Sequence, residues 1–160
     1  MKRILFLLAV FVLSAAVSGP LMAQDNPFLG TWKLNTAKSK FTGVPAPKEM
    51  TREITADGSG AKYSFSGTAA DGSAISYSFT TQYDGKDTAI TGSGIPGGAD
   101  TITLKRITPH KSEGALKKGG TEVAKVTAIV SKDGKTATVT SSGKSADGKS
   151  MSSVSVYDKQ

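Results

Sequence analysis

Short turn-forming dipeptides recur along this chain at nearly even intervals, and that recurrence limits the fold more than any other feature. They are Asp57-Gly58, Asp71-Gly72, Asp84-Gly85, Gly97-Gly98, Pro109-His110, Gly119-Gly120, Asp133-Gly134 and Asp147-Gly148, at successive spacings of 14, 13, 13, 12, 10, 14 and 14 residues. Asp-Gly and Gly-Gly reach the positive φ angles that tight hairpins require, so each marks a chain reversal with a mechanism. One strand plus one turn, sustained this long, is an up-and-down antiparallel sheet. The spacing predicts strands at 29–35, 48–56, 60–69, 73–82, 86–92, 99–107, 111–118, 121–131, 135–143 and 149–158. Between the first two, Thr36 to Lys48, with Pro45 and Pro47, reads as a long loop. No segment carries a helical stripe.

The segments between turns alternate as half-buried strands do. Tyr63 and Phe65 share a face with Ala61 and Gly67, and Ile75, Tyr77 and Phe79 line up opposite Ser76, Ser78 and Thr80. Met50, Arg52 and Ile54 are in phase, as are Ile102, Leu104 and Arg106. Val139, and Val154 with Val156, mark the last two strands. An open sheet of this size would leave two edges and a naked apolar face, and closure removes both. The expected fold is therefore all-β: a single antiparallel barrel of about 8–10 strands. Its apolar faces are rich in Ala, Gly and Ser, which fits either a barrel with interior space or a flattened, tightly packed one.

The first strand opens with Phe28-Leu29-Gly30-Thr31-Trp32-Lys33-Leu34-Asn35, which holds the only tryptophan of the chain. This Gly-x-Trp, followed by Lys38-Ser39-Lys40-Phe41, resembles the signature of the lipocalins, and more narrowly of secreted bacterial lipocalin-like (calycin-type) β-barrel proteins that are largely uncharacterised. The resemblance implies that Gly30 and Trp32 are structural, with the indole plugging the closed end of the barrel. It also implies a basic side chain from near the last strand over that indole, a place for which Lys159 stands available.

Lys2-Arg3 followed by an apolar run from Ile4 to Val17 has the form of a secretory signal peptide and is too short to span a bilayer. Cleavage after Ala23 would leave 24–160, a single lipocalin-like barrel domain, in the periplasm or outside the cell. The chain has no cysteine, so an exported form must hold together without disulfides. The formal net charge of +7 becomes +5 once Lys2 and Arg3 are removed. Residues 24–99 carry seven basic and seven acidic side chains, against eleven and six in 100–160. That excess fits a soluble, lysine-studded exterior, and it leaves room for a weak contact with an anionic envelope surface.

Sites for chemistry are few. Gly92-Ser93-Gly94-Ile95-Pro96-Gly97 has dinucleotide-fingerprint spacing but no helix follows it, so it reads as a hairpin loop. His110 is the only histidine, and Asp84-Gly85-Lys86-Asp87 lacks the further oxygens of a calcium loop, so no metal site, no cofactor and no enzymatic activity are expected. The residues out of place are Arg52 and Arg106, each in phase with apolar neighbours. A guanidinium turned inward needs partners. The functional reading is an anion socket in which one or both arginines, aided by Tyr63 or Tyr77, grip the head of an amphipathic ligand while Phe41 and Val44 of the first loop cover it. The structural reading places the arginines at strand ends, or over Trp32 as a cation–π lid. Nucleic acid is not an expected partner. The expected function is a secreted or periplasmic binding protein for a small apolar or amphipathic ligand. The alternative is a non-catalytic envelope or extracellular interaction module with a basic C-terminal half.

Overall fold

The computed structural model describes residues 26–144 and 148–160, so the expected leader, its cleavage site and Asp147 of the last turn lie outside the described residues. Among the described residues there are twelve strands: β1 (Gly30–Leu34), β2 (Lys40–Thr42), β3 (Glu49–Asp57), β4 (Gly60–Thr68), β5 (Ala74–Thr81), β6 (Asp84–Ala89), β7 (Thr91–Ser93), β8 (Thr101–Thr108), β9 (Lys111–Lys118), β10 (Thr121–Val130), β11 (Thr136–Lys144) and β12 (Ser150–Lys159). They form one antiparallel sheet in the order β6-β8-β9-β10-β11-β12-β1-β3-β4-β5-β7, with β2 also paired to β12. All ten expected strands are present. The fold is a nearly closed, up-and-down antiparallel barrel.

Three local details depart from the sequence reading. The stretch from Thr36 to Lys48 is not one long loop: a 3-10 turn at Thr36–Lys38 is followed by β2, whose Phe41 lies opposite Ser153 of β12. Asn35 makes this break, since its side chain accepts from Lys38 N and donates to Asp158 Oδ2 at 2.7 Å. Ser39 completes it by donating to Asn35 O and accepting from Val156 N. β1 and β2 thus act as one bent strand along β12, and Phe41 is half-buried against the core, not poised over a mouth.

The second departure is the fifth expected strand, which is split at the buried Ile90. Before Ile90 the segment pairs with β8, and after it with β5. The two ends of the sheet are therefore consecutive pieces of one segment, and the barrel is closed by covalent continuity where no ladder runs unbroken. The third departure is the turn into this segment, which lies at Gln82–Tyr83 and not at Asp84-Gly85; Tyr83 adopts φ 56°, and Asp84 begins β6.

Gly92 is what allows the crossing back to β5. Its φ is 122°, and a Cβ there would sit 2.1 Å from Ser76 O, so both conformation and space exclude a side chain. Gly92→Ala is expected to destabilise the barrel by about 1–3 kcal/mol, the usual range for a residue forced into an ill-suited backbone state. Gly134→Ala, at φ 69° with open space around it, provides the comparison that isolates the contact from the dihedral. Urea denaturation of the two variants checks this, and equal losses would remove the crossing from the account.

Candidate functional site

The interior follows from strand phase. On β1 Trp32 and Leu34 are buried, on β3 Arg52 and Ile54, on β4 Ala61 and Tyr63, on β5 Ile75, Tyr77 and Phe79, and on β8 Ile102 and Leu104. Neighbouring strands bring their aromatic rings face to face. Tyr63 stacks on Phe79 at 4.8 Å and Phe65 on Tyr77 at 4.4 Å, each pair directly opposite in the β4–β5 register. On β11 and β12 the inward side mixes apolar and small polar residues: Val139 and Ser141 of β11 and Ser153 and Ser155 of β12 share a side with Ala137 and Tyr157. Val154 and Val156 therefore point outward, and Val154 is 37% exposed.

Trp32 is fully buried, and its Nε1 donates to Phe28 O at 2.9 Å. Lys159 places its Nζ 5.1 Å from the centre of the indole, in the position for which the lipocalin resemblance asks a cation. Across the β1–β3 ladder Trp32 lies opposite Arg52.

Arg52 is the anomaly of this interior. It is 3% exposed, and its Nε and Nη2 have no hydrogen-bond partner among the described residues. Its Cζ lies 4.3 Å from the centre of the Tyr157 ring and 5.5 Å from that of Trp32. A cation–π contact, even desolvated, is worth about 2 kcal/mol. Desolvating a cation in a protein interior costs several kcal/mol, so the rings offset only part of it. Burial accordingly lowers the Arg52 pKa from its ordinary value, with surrounding tyrosines as the opposing influence. A guanidinium nevertheless stays charged at any physiological pH, and this one has no carboxylate against it.

The structure brings Arg52, Tyr63 and Tyr77 into one environment and adds two groups the sequence analysis did not name. Tyr157 offers its ring to Arg52 and its hydroxyl to Met50 Sδ at 3.1 Å. Tyr83 shares a hydrogen bond of 2.7 Å with the Tyr63 hydroxyl. The phase of Met151, Ser153, Ser155 and Tyr157 could have revealed Tyr157, had the out-of-phase valines not dominated the pattern. A third buried polar side-chain atom without a partner among the described residues is Ser112 Oγ, on β9 opposite Arg106.

Arg106 itself does not join the site. At the β8 bulge its Nη1 donates to Pro109 O at 3.4 Å and its Nη2 to Asn26 Oδ1 at 3.3 Å. Its Cζ lies 3.8 Å from the centre of the Tyr83 ring and 4.2 Å from that of Phe28. Arg106 is thus a bolt joining the start of the barrel to two of its turns. Phe41 stands on β2 opposite Ser153 and packs against the core cluster. Two open grooves, of about 580 and 280 Å³, lie elsewhere; neither is lined by Arg52, and the larger runs along the outward Ser and Thr positions of β3, β4 and β5. His110 Nδ1 lies 3.2 Å from Val130 O, and among the described residues no group of three His, Cys, Asp or Glu could hold a metal.

The fold class these elements define is the calycin-like β-barrel. Among solved structures it is similar to zebrafish ileal bile acid-binding protein complexed with cholic acid, with a TM-score of 0.53 and 15% identity over 84% of this chain and 99% of that one. At that identity the likeness is one of fold. No protein-family model matches the chain, and no curated protein matches its sequence.

Two outcomes follow from this site. Trp32→Ala should lower stability by roughly 3–5 kcal/mol, as loss of a large core aromatic does; urea denaturation measures it, and a near-neutral result would displace Trp32 from the core. Burial raises the pKa values of Tyr63, Tyr77 and Tyr157 above their ordinary 10, so the fold holds these protons more tightly than the unfolded chain does. Their contribution is then complete below pH 10 and is lost as pH rises through the folded-state values. Phenolate absorbance of these tyrosines should appear only together with the loss of barrel circular dichroism; phenolate formation in an intact barrel would contradict their burial.

Proposed function

We propose that the chain is a non-catalytic carrier of a small amphipathic acid, whose head is held by Arg52 inside the barrel. One observation carries this: a buried guanidinium with two unpartnered nitrogens and no acidic partner among the described residues. An anionic head supplies what those nitrogens lack, through charge-assisted and potentially bidentate hydrogen bonds. The stacked rings of Tyr63, Phe79, Phe65 and Tyr77 give the apolar body of such a ligand a wall to lie against. The zebrafish barrel of similar fold is described with an acid bound, which supports the same ligand class here. With its Gly30-Thr31-Trp32 signature and its Lys2-Arg3 leader, the protein is proposed to be an exported, lipocalin-like barrel that works in the periplasm or outside the cell.

The test exploits the opposite signs of the two roles Arg52 can have. If the arginine exists for a ligand, Arg52→Leu removes an unpartnered charge, and the empty barrel should hold or gain stability by about 1–4 kcal/mol. The same variant should lose tenfold or more in affinity for fatty acids, since each hydrogen bond to a charged group is worth roughly 1.5–3 kcal/mol, while alcohols of the same chain length keep theirs. Trp32, 5.5 Å from the guanidinium, serves as the intrinsic fluorescence probe. Destabilisation of the empty variant, or equal loss for acids and alcohols, returns Arg52 to a structural role over Trp32 and Tyr157.

A further inference from the structure

We propose that the outer face of β9 to β12 is a docking surface for anionic lipid bilayers. Three large hydrophobic side chains are exposed among the described residues: Ile107 at 46%, Ile129 at 46% and Val154 at 37%. Strand register gathers them. Lys111, Ile129, Thr138 and Val156 form one continuous row across four strands, with Ile107 beside it at the β8 bulge. The next row runs Lys105, Glu113, Thr127, Thr140, Val154 and Lys40. At strand spacing the face from β9 to β12 is about 15 Å wide. Its aliphatic side chains are β-branched and project from the sheet, and lysines flank them.

Lys125, opposite Ala115 and Ser142, stands in the row after these, and of the four lysines on the face only Lys111 is in an ion pair among the described residues. Lys40, Lys105 and Lys125 take part in none of the ion pairs among the described residues, and the one carboxylate of the two rows, Glu113, is bound to Lys111 at 2.6 Å. A second copy of the chain would bring like charge to like charge on this face. An acidic protein surface would meet no aromatic or arginine anchor here, and those are the residues that carry most protein interfaces. A bilayer needs neither. Lysine is a compact, hydrated point charge suited to many headgroups at once, and each one near an anionic surface contributes independently. Shallow insertion of Ile107, Ile129 and Val154 adds an apolar component that lysines alone lack.

Flotation with vesicles decides it, using the chain as purified from expressing cells, so that any leader it retains is common to every variant. Wild type should float with phosphatidylcholine vesicles that contain phosphatidylglycerol, not with phosphatidylcholine alone, and should be released by high salt. The triple variant Lys40→Glu, Lys105→Glu, Lys125→Glu should lose about fivefold in partitioning per lysine. Ile129→Ser with Val154→Ser should weaken binding at low salt while leaving its salt dependence in place. Lys48→Glu, Lys62→Glu, Ser59→Glu, Ser66→Glu makes the same change in net charge along β3, β4 and their turn, away from β9 to β12, and should bind nearly as wild type; a loss there equal to that of the first triple would reduce the effect to net charge and overturn the proposal. Absence of wild-type flotation, or capture by soluble polyglutamate without any vesicle binding, would overturn it as well. All positions are at the surface, and melting curves matching wild type confirm folded variants.

Discussion

Backbone N–H and C=O groups of a strand need partners on both sides, and a rolled sheet satisfies them all only if its two margins meet. In this chain the margins meet inside the segment from Asp84 to Ser93, which gives its first half to β8 and its second half to β5. The rest of the structure depends on that crossing. It turns twelve short strands into an enclosure, and the enclosure is what makes Trp32, Arg52 and the tyrosines interior groups at all. Tyr83 at φ 56° and Gly92 at φ 122° are the local concessions through which the backbone achieves it. Tyr83 is held there by the Tyr63 hydroxyl and by the guanidinium of Arg106 against its ring.

The two arginines show how position in a barrel decides what the same side chain does. Arg106 stands at a strand end, where the bulge lets its guanidinium reach Pro109 O and Asn26. It needs nothing more. Arg52 stands opposite Trp32 in the middle of the β1–β3 ladder and is 3% exposed. Among the described residues its Nε and Nη2 meet ring faces and no acceptor within hydrogen-bond distance, and ring faces are the weaker compensation. Among the described residues, Arg52 and Ser112 alone carry buried side-chain nitrogen or oxygen atoms without a partner, so neither reflects a general looseness of the fold.

Much of the barrel was legible because turn chemistry is local. Asp57-Gly58, Gly119-Gly120 and Asp133-Gly134 act where they stand, and the strands between them alternate in the phase their residues dictate. What was not legible depends on partners far away in sequence. β2 is a strand because β12 offers it an edge, and Asn35 ends β1 because Asp158 receives its amide. The split at Ile90 depends on β8 and β5 flanking the segment, a fact its residues do not carry. At the site, Arg52, Tyr63 and Tyr77 could be read from phase, whereas Tyr157 was hidden by outward valines and Tyr83 lies in a turn with no period at all. The commitment of Arg106 to Asn26 spans eighty residues and left no mark in the pattern.

The pairing of the first strand with the last carries a consequence for how the molecule comes into being. β1 runs between β3 and β12, and Gln160 N donates to Thr31 O, so β1 lacks half its ladder until β12 and Gln160 are in place. Until then Trp32 has no Lys159 above it and Arg52 no Tyr157 beside it. A polypeptide emerging from its N-terminus can form the β3–β4–β5 hairpins early, since their contacts are near in sequence, but closure waits for the end. The unclosed intermediate exposes an edge and an apolar concave face together, the combination most prone to wrong pairings. The sheet from β3 to β11 therefore stays open until β12 is made and becomes a barrel only when Ser150–Lys159 has paired with β1.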